Sequence, residues 1–405
     1  MQTKWRILWL LSLAELLAMT LWFSASAVVP QLVAEFHLTE SQQSWLTMSV
    51  QIGFVLGALF IAILNLADRF EPRYLIAVCT LLGAIFNACI AAFDLPFSMV
   101  LLMRFLTGAS MAGVYPPGMK VLASWFTKSR GLAIGILVSA LTIGNAGPHL
   151  LNAIPFSGGE AGLPPWRIVL WVVSGLALLG AIIAAVFIRS GPNLPSTRKF
   201  DWRYAGKVFT DPALRYANFG YLGHMWELYA MWTWVPMLLM ASYQTGELNE
   251  SWARLAGFFA IAMGGAGSIL AGALADRKGR TLIASASLVI SGVCCLGAGF
   301  LFAHPLLLTC LCLIWGFAVV ADSAQFSTAI SELCDPQYVG TALTMQTCTG
   351  FLLTTISIWL LPIIQEQMSR GPAFALLAAG PVFGIWSMWM LRGCPESIKM
   401  ASGRK

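Results

Sequence analysis

Gly272-Ala273-Leu274-Ala275-Asp276-Arg277-Lys278-Gly279-Arg280 is a short charged turn between two long apolar runs, 253–274 and 281–302. A similar outline stands earlier as Leu66-Ala67-Asp68-Arg69-Phe70-Glu71-Pro72-Arg73, again between apolar runs, 44–65 and 73–93. The two aspartates are 208 residues apart. A second pair of segments keeps nearly the same offset. Glu15-Leu16-Leu17-Ala18-Met19-Thr20-Leu21-Trp22 matches Glu227-Leu228-Tyr229-Ala230-Met231-Trp232-Thr233-Trp234, 212 residues on, at Glu, Leu, Ala, Met and the final Trp. A chain of 405 residues that repeats itself at about half its length is built from two similar halves.

Outward from these turns, apolar runs cover about 5–29, 44–65, 73–93, 97–122, 131–154, 167–188, 214–241, 253–274, 281–302, 305–331, 339–363 and 372–391. Each is long enough to cross about 30 Å of hydrocarbon as a helix. Helix is the form in which one segment satisfies its own backbone in lipid. Apolar side chains make up 58% and charged ones 10% of the chain, with mean hydropathy +0.76. Soluble domains carry about one quarter charged residues, and disordered chains combine low hydrophobicity with high charge, so both classes are excluded. Nine cysteines in 405 residues are too sparse for a disulfide-stapled domain. Cys310-x-Cys312 is misspaced for a metal pair on one helix face. The expected fold class is an all-α membrane protein: residues 1–190 form one six-helix bundle, 191–212 a cytoplasmic linker, and 213–405 a second six-helix bundle. The linker is placed at the longest polar segment, with Arg189, Arg198, Lys199, Arg203 and Lys207.

Basic residues set the orientation. With both termini cytoplasmic, twenty Lys and Arg fall on the cytoplasmic side; Arg167, Arg254 and Arg370 fall outside and Arg104 lies within a span. The outer loops hold acids such as Glu35, Asp94 and Glu247. The net charge of +6 reflects this asymmetry, with no basic stripe that calls for nucleic acid. Localisation in the cytoplasmic membrane, as a monomer, is expected. Lys4 and Arg6 before an apolar run ending in Ala25-Ser26-Ala27 have the outline of a cleavable leader. Glu15 in mid-run, and the repeat itself, argue for a retained span.

The turn Gly272-x-Leu274-Ala275-Asp276-Arg277-x-Gly279-Arg280 resembles the motif between spans eight and nine of the major facilitator superfamily. The 68–73 copy is degenerate: Leu64 replaces the first Gly, and Glu71 and Pro72 disturb the second. Met103-Arg104-Phe105-Leu106-Thr107-Gly108 resembles the superfamily's Arg-x-x-x-Gly pattern in span four. The resemblance implies two pseudo-symmetric bundles around a central cavity. It also implies a conformational role for the turns, through Asp68, Arg69, Arg73, Gly272, Asp276, Arg277, Gly279 and Arg280, with Asp68 and Asp276 meeting neighbouring helix ends. Gly147-Pro148 in span five is similar to the superfamily's antiporter motif, although Leu151-Asn152 stand where two glycines are expected. Gly144-Asn145-x-Gly147 resembles the nitrate-porter signature, but the arginines which that implies on spans two and eight are missing, Gln51 being offered instead.

Ionisable groups at a helix centre cost at least about 2.5–3.5 kcal/mol on insertion scales and are functional candidates by default. Spans one, four, seven and ten hold Glu15, Arg104, His224 with Glu227, and Asp322. Glu15 shares a helix face with Ser12, Met19, Trp22 and Ser26. His224 and Glu227 are neighbours three residues apart, with Tyr221 and Met231 extending that surface. A cavity built from these faces brings Glu15 and Glu227 together. The expected proton-coupling set is Glu15, Glu227, Asp322 and His224. The expected solute contacts are Trp22, Arg104, Tyr221, Trp234, Trp315, Gln325, Gln346 and Asn145. Internal ion pairs of Glu15 with Arg104, or of Glu227 with His224, are the structural alternative.

Taking a carboxylate out of water disfavours its charged form, so such a group can hold a proton near neutral pH and a cationic solute can displace it. Repeats with acids in the core favour alternating access over a passive pore. The expected function is proton-coupled transport of a small organic solute, with export of a drug or metabolite by proton antiport favoured. Uptake of a small anion or organic acid through Arg104 and His224, and divalent-metal transport through the acids, are the alternatives. No cofactor is implied, the sequence carries no enzyme motif such as His-Glu-x-x-His, and the expected partners are a solute, protons and the lipid bilayer.

Overall fold

Where an apolar helix runs unbroken, and where proline, aspartate or hydroxyl side chains interrupt it, decides the architecture. A computed structural model describes residues 2–126, 130–154, 163–193, 200–368 and 370–404, and every regular element among them is helical. Span one is Gln2–Met19, followed by Ser26–Val28 and Val29–Phe36; span two is Glu40–Ile63 and span three Pro72–Ala92. Span four is Phe97–Met111 plus Tyr115–Trp125, span five Arg130–Ala153 and span six Trp166–Phe187. The second half has span seven, Pro212–Thr245; eight, Glu250–Lys278; nine, Arg280–Phe300; and ten, Pro305–Ala321 plus Ser323–Leu333. Span eleven is Val339–Gln367 and span twelve Ala379–Gly393, entered through Phe374–Ala378. Among the described residues ten helices are long and apolar enough, by length and composition, to cross a membrane. Spans one and seven, which carry Glu15 and Glu227, are not among the ten.

Three spans expected as continuous are broken, each for a local reason. Span one ends at Met19, ahead of Thr20, Trp22, Phe23, Ser24 and Ser26. Thr20 Oγ1 donates to Leu17 O at 2.7 Å and Ser24 Oγ to Leu21 O at 2.9 Å, local bonds that compete with the helical ladder. Span four breaks before Tyr115-Pro116-Pro117, because neither proline has the N–H that would close the preceding turn. Span ten breaks at Asp322, the equivalent place in the second half.

The mid-chain segment differs from a plain linker. Residues 194–199, with Arg198 and Lys199, lie outside the described residues. Beyond them Trp202–Thr210 is a helix, capped by Asp201, whose carboxylate accepts the Arg203 N–H at 2.8 Å. Tyr204 stacks on Tyr338 at 4.3 Å, and its hydroxyl accepts the Asp335 N–H at 2.9 Å. The segment is thus docked on the turn between spans ten and eleven.

The two halves meet along stripes of small residues. A Cβ on Gly272 would lie 2.5 Å from Gly131 O, one on Gly135 2.7 Å from Ser268 O, and one on Gly265 2.7 Å from Ser139 Oγ. Ser268 Oγ donates to Gly135 O at 3.0 Å. Small residues let backbones of membrane helices approach closely, and here they seal spans five and eight on the side that carries the charged turns, hereafter the motif side. Spans two and eleven also cross the seam, where Thr354 donates to Gln51.

Candidate functional site

A cavity of about 60 Å³ lies between the halves. Its wall is set by the helix breaks: Trp22 lies in the break of span one, while Tyr115 and Ser323 open the second pieces of spans four and ten. Rings from both halves close over it. Phe351 lies 4.6 Å from Phe54, 4.9 Å from Tyr229 and 5.3 Å from Trp22, and Tyr229 lies 5.2 Å from Trp232. Hydroxyls come from Tyr115, Thr142, Ser323, Ser327 and Thr347. Among the described lining residues there is no Asp, Glu, Lys, Arg or His.

The expected site residues divide between this wall and the space behind it. Trp22 and Tyr221 line the cavity. Asn145 and Gln346 are fully buried beside lining positions Thr142 and Thr347, and neither amide has a partner among the described residues. Glu15 is 2% exposed, one turn from Met19 of the wall, with both carboxylate oxygens unpartnered among the described residues. A Cβ on Gly118 would lie 3.6 Å from Glu15 Oε2, which places the carboxylate against the second piece of span four.

The pairing of Glu15 with Glu227 needs correction. Glu227 accepts from Ser291 Oγ at 3.0 Å, from Cys295 Sγ at 3.1 Å and from Trp315 Nε1. Its oxygens are therefore occupied inside the second half, and neither glutamate lines the cavity. The cause is the face of span seven. Tyr221, Met225, Leu228 and Trp232 look into the cavity, whereas the adjacent face of His224 and Glu227 looks into its own bundle. The expected ion pairs differ too: His224 Nδ1 lies 2.9 Å from Asp322 Oδ1, both buried and out of line for a hydrogen bond.

Arg104 does not reach the cavity or Glu15. It is fully buried, and it donates to Leu21 O at 3.0 Å, Ser24 Oγ at 2.8 Å, Leu46 O at 3.3 Å and Trp22 O. The carbonyls freed by the break in span one are thus taken by one guanidinium, which has five donors in a fixed fork. Trp234 is likewise spent on structure: its Nε1 donates to Ile358 O at 3.1 Å, the carbonyl that Pro362 cannot pair within its own helix. Trp315 serves Glu227, and Gln325 accepts from Arg280 at 3.3 Å. Tyr229, Trp232, Phe351, Phe54 and Tyr115 belong in their place. Pro116-Pro117 was the available signal for Tyr115, and the four-and-three spacing from Tyr221 was the signal for Trp232.

The turn residues form a second cluster. Arg280 grips both oxygens of Glu332 at 2.7 Å and lies 3.4 Å from Asp276 Oδ1. Asp276 abuts the start of span five, since a Cβ on Gly131 would meet its Oδ1 at 2.4 Å. Gly279 has φ 103°, a conformation side chains disfavour, which accounts for glycine at this tight turn. In the degenerate copy, Lys120 binds Asp68 and also Ala67 O at 2.8 Å, and Arg73 pairs with Glu71 at 2.9 Å. Arg69 and Arg277 are exposed. The C-terminal segment closes over the intact copy: Ala401 N donates to Glu332 at 3.1 Å and Arg404 to Asp276 O at 2.6 Å.

Residues 11–358 match the family described as Major Facilitator Superfamily. The chain belongs to this superfamily. As a superfamily member it is an integral membrane protein of a transporter family. YgaY of Escherichia coli K12, an uncharacterised transporter, is 30% identical over 259 residues, 59% of this chain and 60% of that one. The O157:H7 form is 31% identical over 50% of this chain and 48% of its own length. The chain thus spans about half to three fifths of these first curated relatives. The hexuronate transporter of Escherichia coli K12 is 21% identical over 98% of this chain and 96% of its own. Among solved structures, an inward-facing, unoccupied bacterial homologue of the human lysosomal transporter Spinster superposes with TM-score 0.69 at 17% identity, covering 99% of this chain and 98% of that one. The superfamily fold, two bundles around a central cavity, is therefore this chain's fold.

Proposed function

We propose that the protein is a proton-coupled transporter that exchanges a small, flat organic solute for protons by alternating access, in the direction of export. Its termini are cytoplasmic, the motif side is the inner side, residues 1–190 and 213–405 move as two bodies, and it works as a monomer. The observation that carries this proposal is Glu15: a buried carboxylate one turn from the cavity wall, with no cation paired to it among the described residues. Burial of an unpaired carboxylate is costly in lipid, and a proton relieves that cost directly. A site that holds a proton when empty and loses it when solute enters gives exchange.

The cavity favours this over the two alternatives. An anion carrier needs a free cation at the site, but Arg104 is spent on backbone carbonyls and His224 faces Asp322. No group of three or more His, Cys, Asp or Glu able to hold a metal ion occurs among the described residues. Glu227, with three hydrogen bonds, is assigned to holding spans seven, nine and ten together.

In proteoliposomes with a trapped pH dye, Glu15→Gln is expected to reduce solute-driven proton movement to background. The glutamine keeps the side-chain volume, so solute binding and folding persist. Glu227→Gln is expected to lower thermal stability and leave coupling in place. Proton movement that survives in Glu15→Gln overturns the assignment, and proton entry together with solute overturns the antiport direction.

A further inference from the structure

Five tryptophans are buried, and the chain supplies an acceptor for three of their indole N–H groups: Trp166 on Glu35, Trp234 on Ile358 O and Trp315 on Glu227. The two without an acceptor among the described residues, Trp22 and Trp232, are the two that line the cavity. They are 2% and 1% exposed and come one from each half. A buried donor left without an acceptor is costly, so the two open indoles of this wall call for acceptors supplied from the cavity. Asn145 adds a third unpartnered group, an amide one turn along span five from Thr142 of the wall. Around these donors stand the faces of Phe54, Tyr229 and Phe351, which grip flat apolar surface.

We infer that the cavity selects its solute by hydrogen-bond acceptors. The fitting class is a small flat molecule with at least two acceptor atoms, such as carbonyl oxygens or unprotonated ring nitrogens. Trp22 and Trp232 Nε1 act as the donors and Asn145 as a further contact. This specificity rests on the transport function proposed above and narrows it: cationic charge alone is not what the wall recognises. A site built to hydrogen-bond its solute rejects an analogue lacking that group strongly, because its own polar groups are left unpaired.

Size-matched probes test this on the full chain in detergent, by thermal stabilisation. Pyridine-3-carboxamide and pyrazine-2-carboxamide each carry at least two acceptor atoms; benzylammonium carries a flat ring of the same size with a cation and no acceptor. The carboxamides are expected to stabilise the protein and benzylammonium to leave it unmoved. Trp22→Phe and Trp232→Phe keep a ring and delete the N–H, and each is expected to raise the half-saturating carboxamide concentration at least fivefold. Trp234→Phe is the control, losing stability with no change in probe preference. Preference for benzylammonium, no response to any probe, or Phe variants that bind carboxamides like the parent would overturn the inference. If a Phe variant yields no folded protein, the probe preference of the unmodified chain decides. Carboxamide binding without proton movement leaves this inference standing and removes only the coupling.

Discussion

Arg104→Ala is expected to yield no monodisperse protein. The guanidinium supports Leu21 O, Trp22 O and Leu46 O at once, and Ser24 with them. Ser24 in turn donates to Asn87 at 2.6 Å, and Asn87 to Leu170 O and Ser174, so the same network joins spans one, three, four and six. Without Arg104, Trp22 O loses its donor, and Leu21 O, Leu46 O and Ser24 Oγ each lose one charged partner. A hydrogen bond to a charged group contributes about 1.5–3 kcal/mol, and four lost at once are of the order of a whole protein's stability, about 5–15 kcal/mol. Arg104→Lys keeps the charge but places one ammonium where a planar fork spans several acceptors, so an intermediate loss is expected. Size-exclusion profiles and thermal unfolding of the detergent-solubilised variants measure both. An alanine variant unfolding within a few degrees of the parent would show that the break in span one is held by something else.

Gly272→Val is expected to stop exchange almost completely while leaving a folded protein that still binds solute. A Cβ there meets the backbone oxygen of Gly131 at 2.5 Å, and a backbone atom cannot swing aside as a side chain would. The contact lies between the halves, so the strain is relieved by separating them on the motif side. Gly135→Val, opposite Ser268 O at 2.7 Å, is expected to act alike. Gly175→Val is the control, because a Cβ at that position meets nothing within 4 Å. Exchange rates in proteoliposomes, set beside solute binding in detergent, separate a jammed cycle from a lost fold. Exchange by Gly272→Val at more than half the parental rate would refute a role for this seam in cycling.

Apolarity made the spans legible in the sequence, because length and hydropathy are local properties and lipid leaves helix as the only form. The breaks were partly legible, in Pro116-Pro117 and in the hydroxyl-rich Thr20–Ser26. What the sequence could not show was which face of a span looks inward. On span seven the charged face was expected to line the cavity, and a rotation of one residue separates His224, inside the bundle, from Met225, on the wall. Long-range partners were hidden for a different reason. That Arg104 serves carbonyls of span one, or that Trp234 answers a proline in span eleven, depends on backbone groups, which every residue carries alike.

The modest apolarity of spans one and seven has a consequence for biogenesis. Each is the leading segment of its half, and neither is among the ten helices that length and composition alone mark as membrane-crossing. During synthesis each would wait at the edge of the translocon until later segments arrive to shelter its polar face. Span one has to be held until span four delivers Arg104 to its broken end, and span seven until spans nine and ten deliver Ser291, Cys295 and Trp315 to Glu227. Each half is therefore expected to insert as a cooperative unit, and a ribosome stalled before span four, or before span ten, would leave a leading segment open to quality-control proteases.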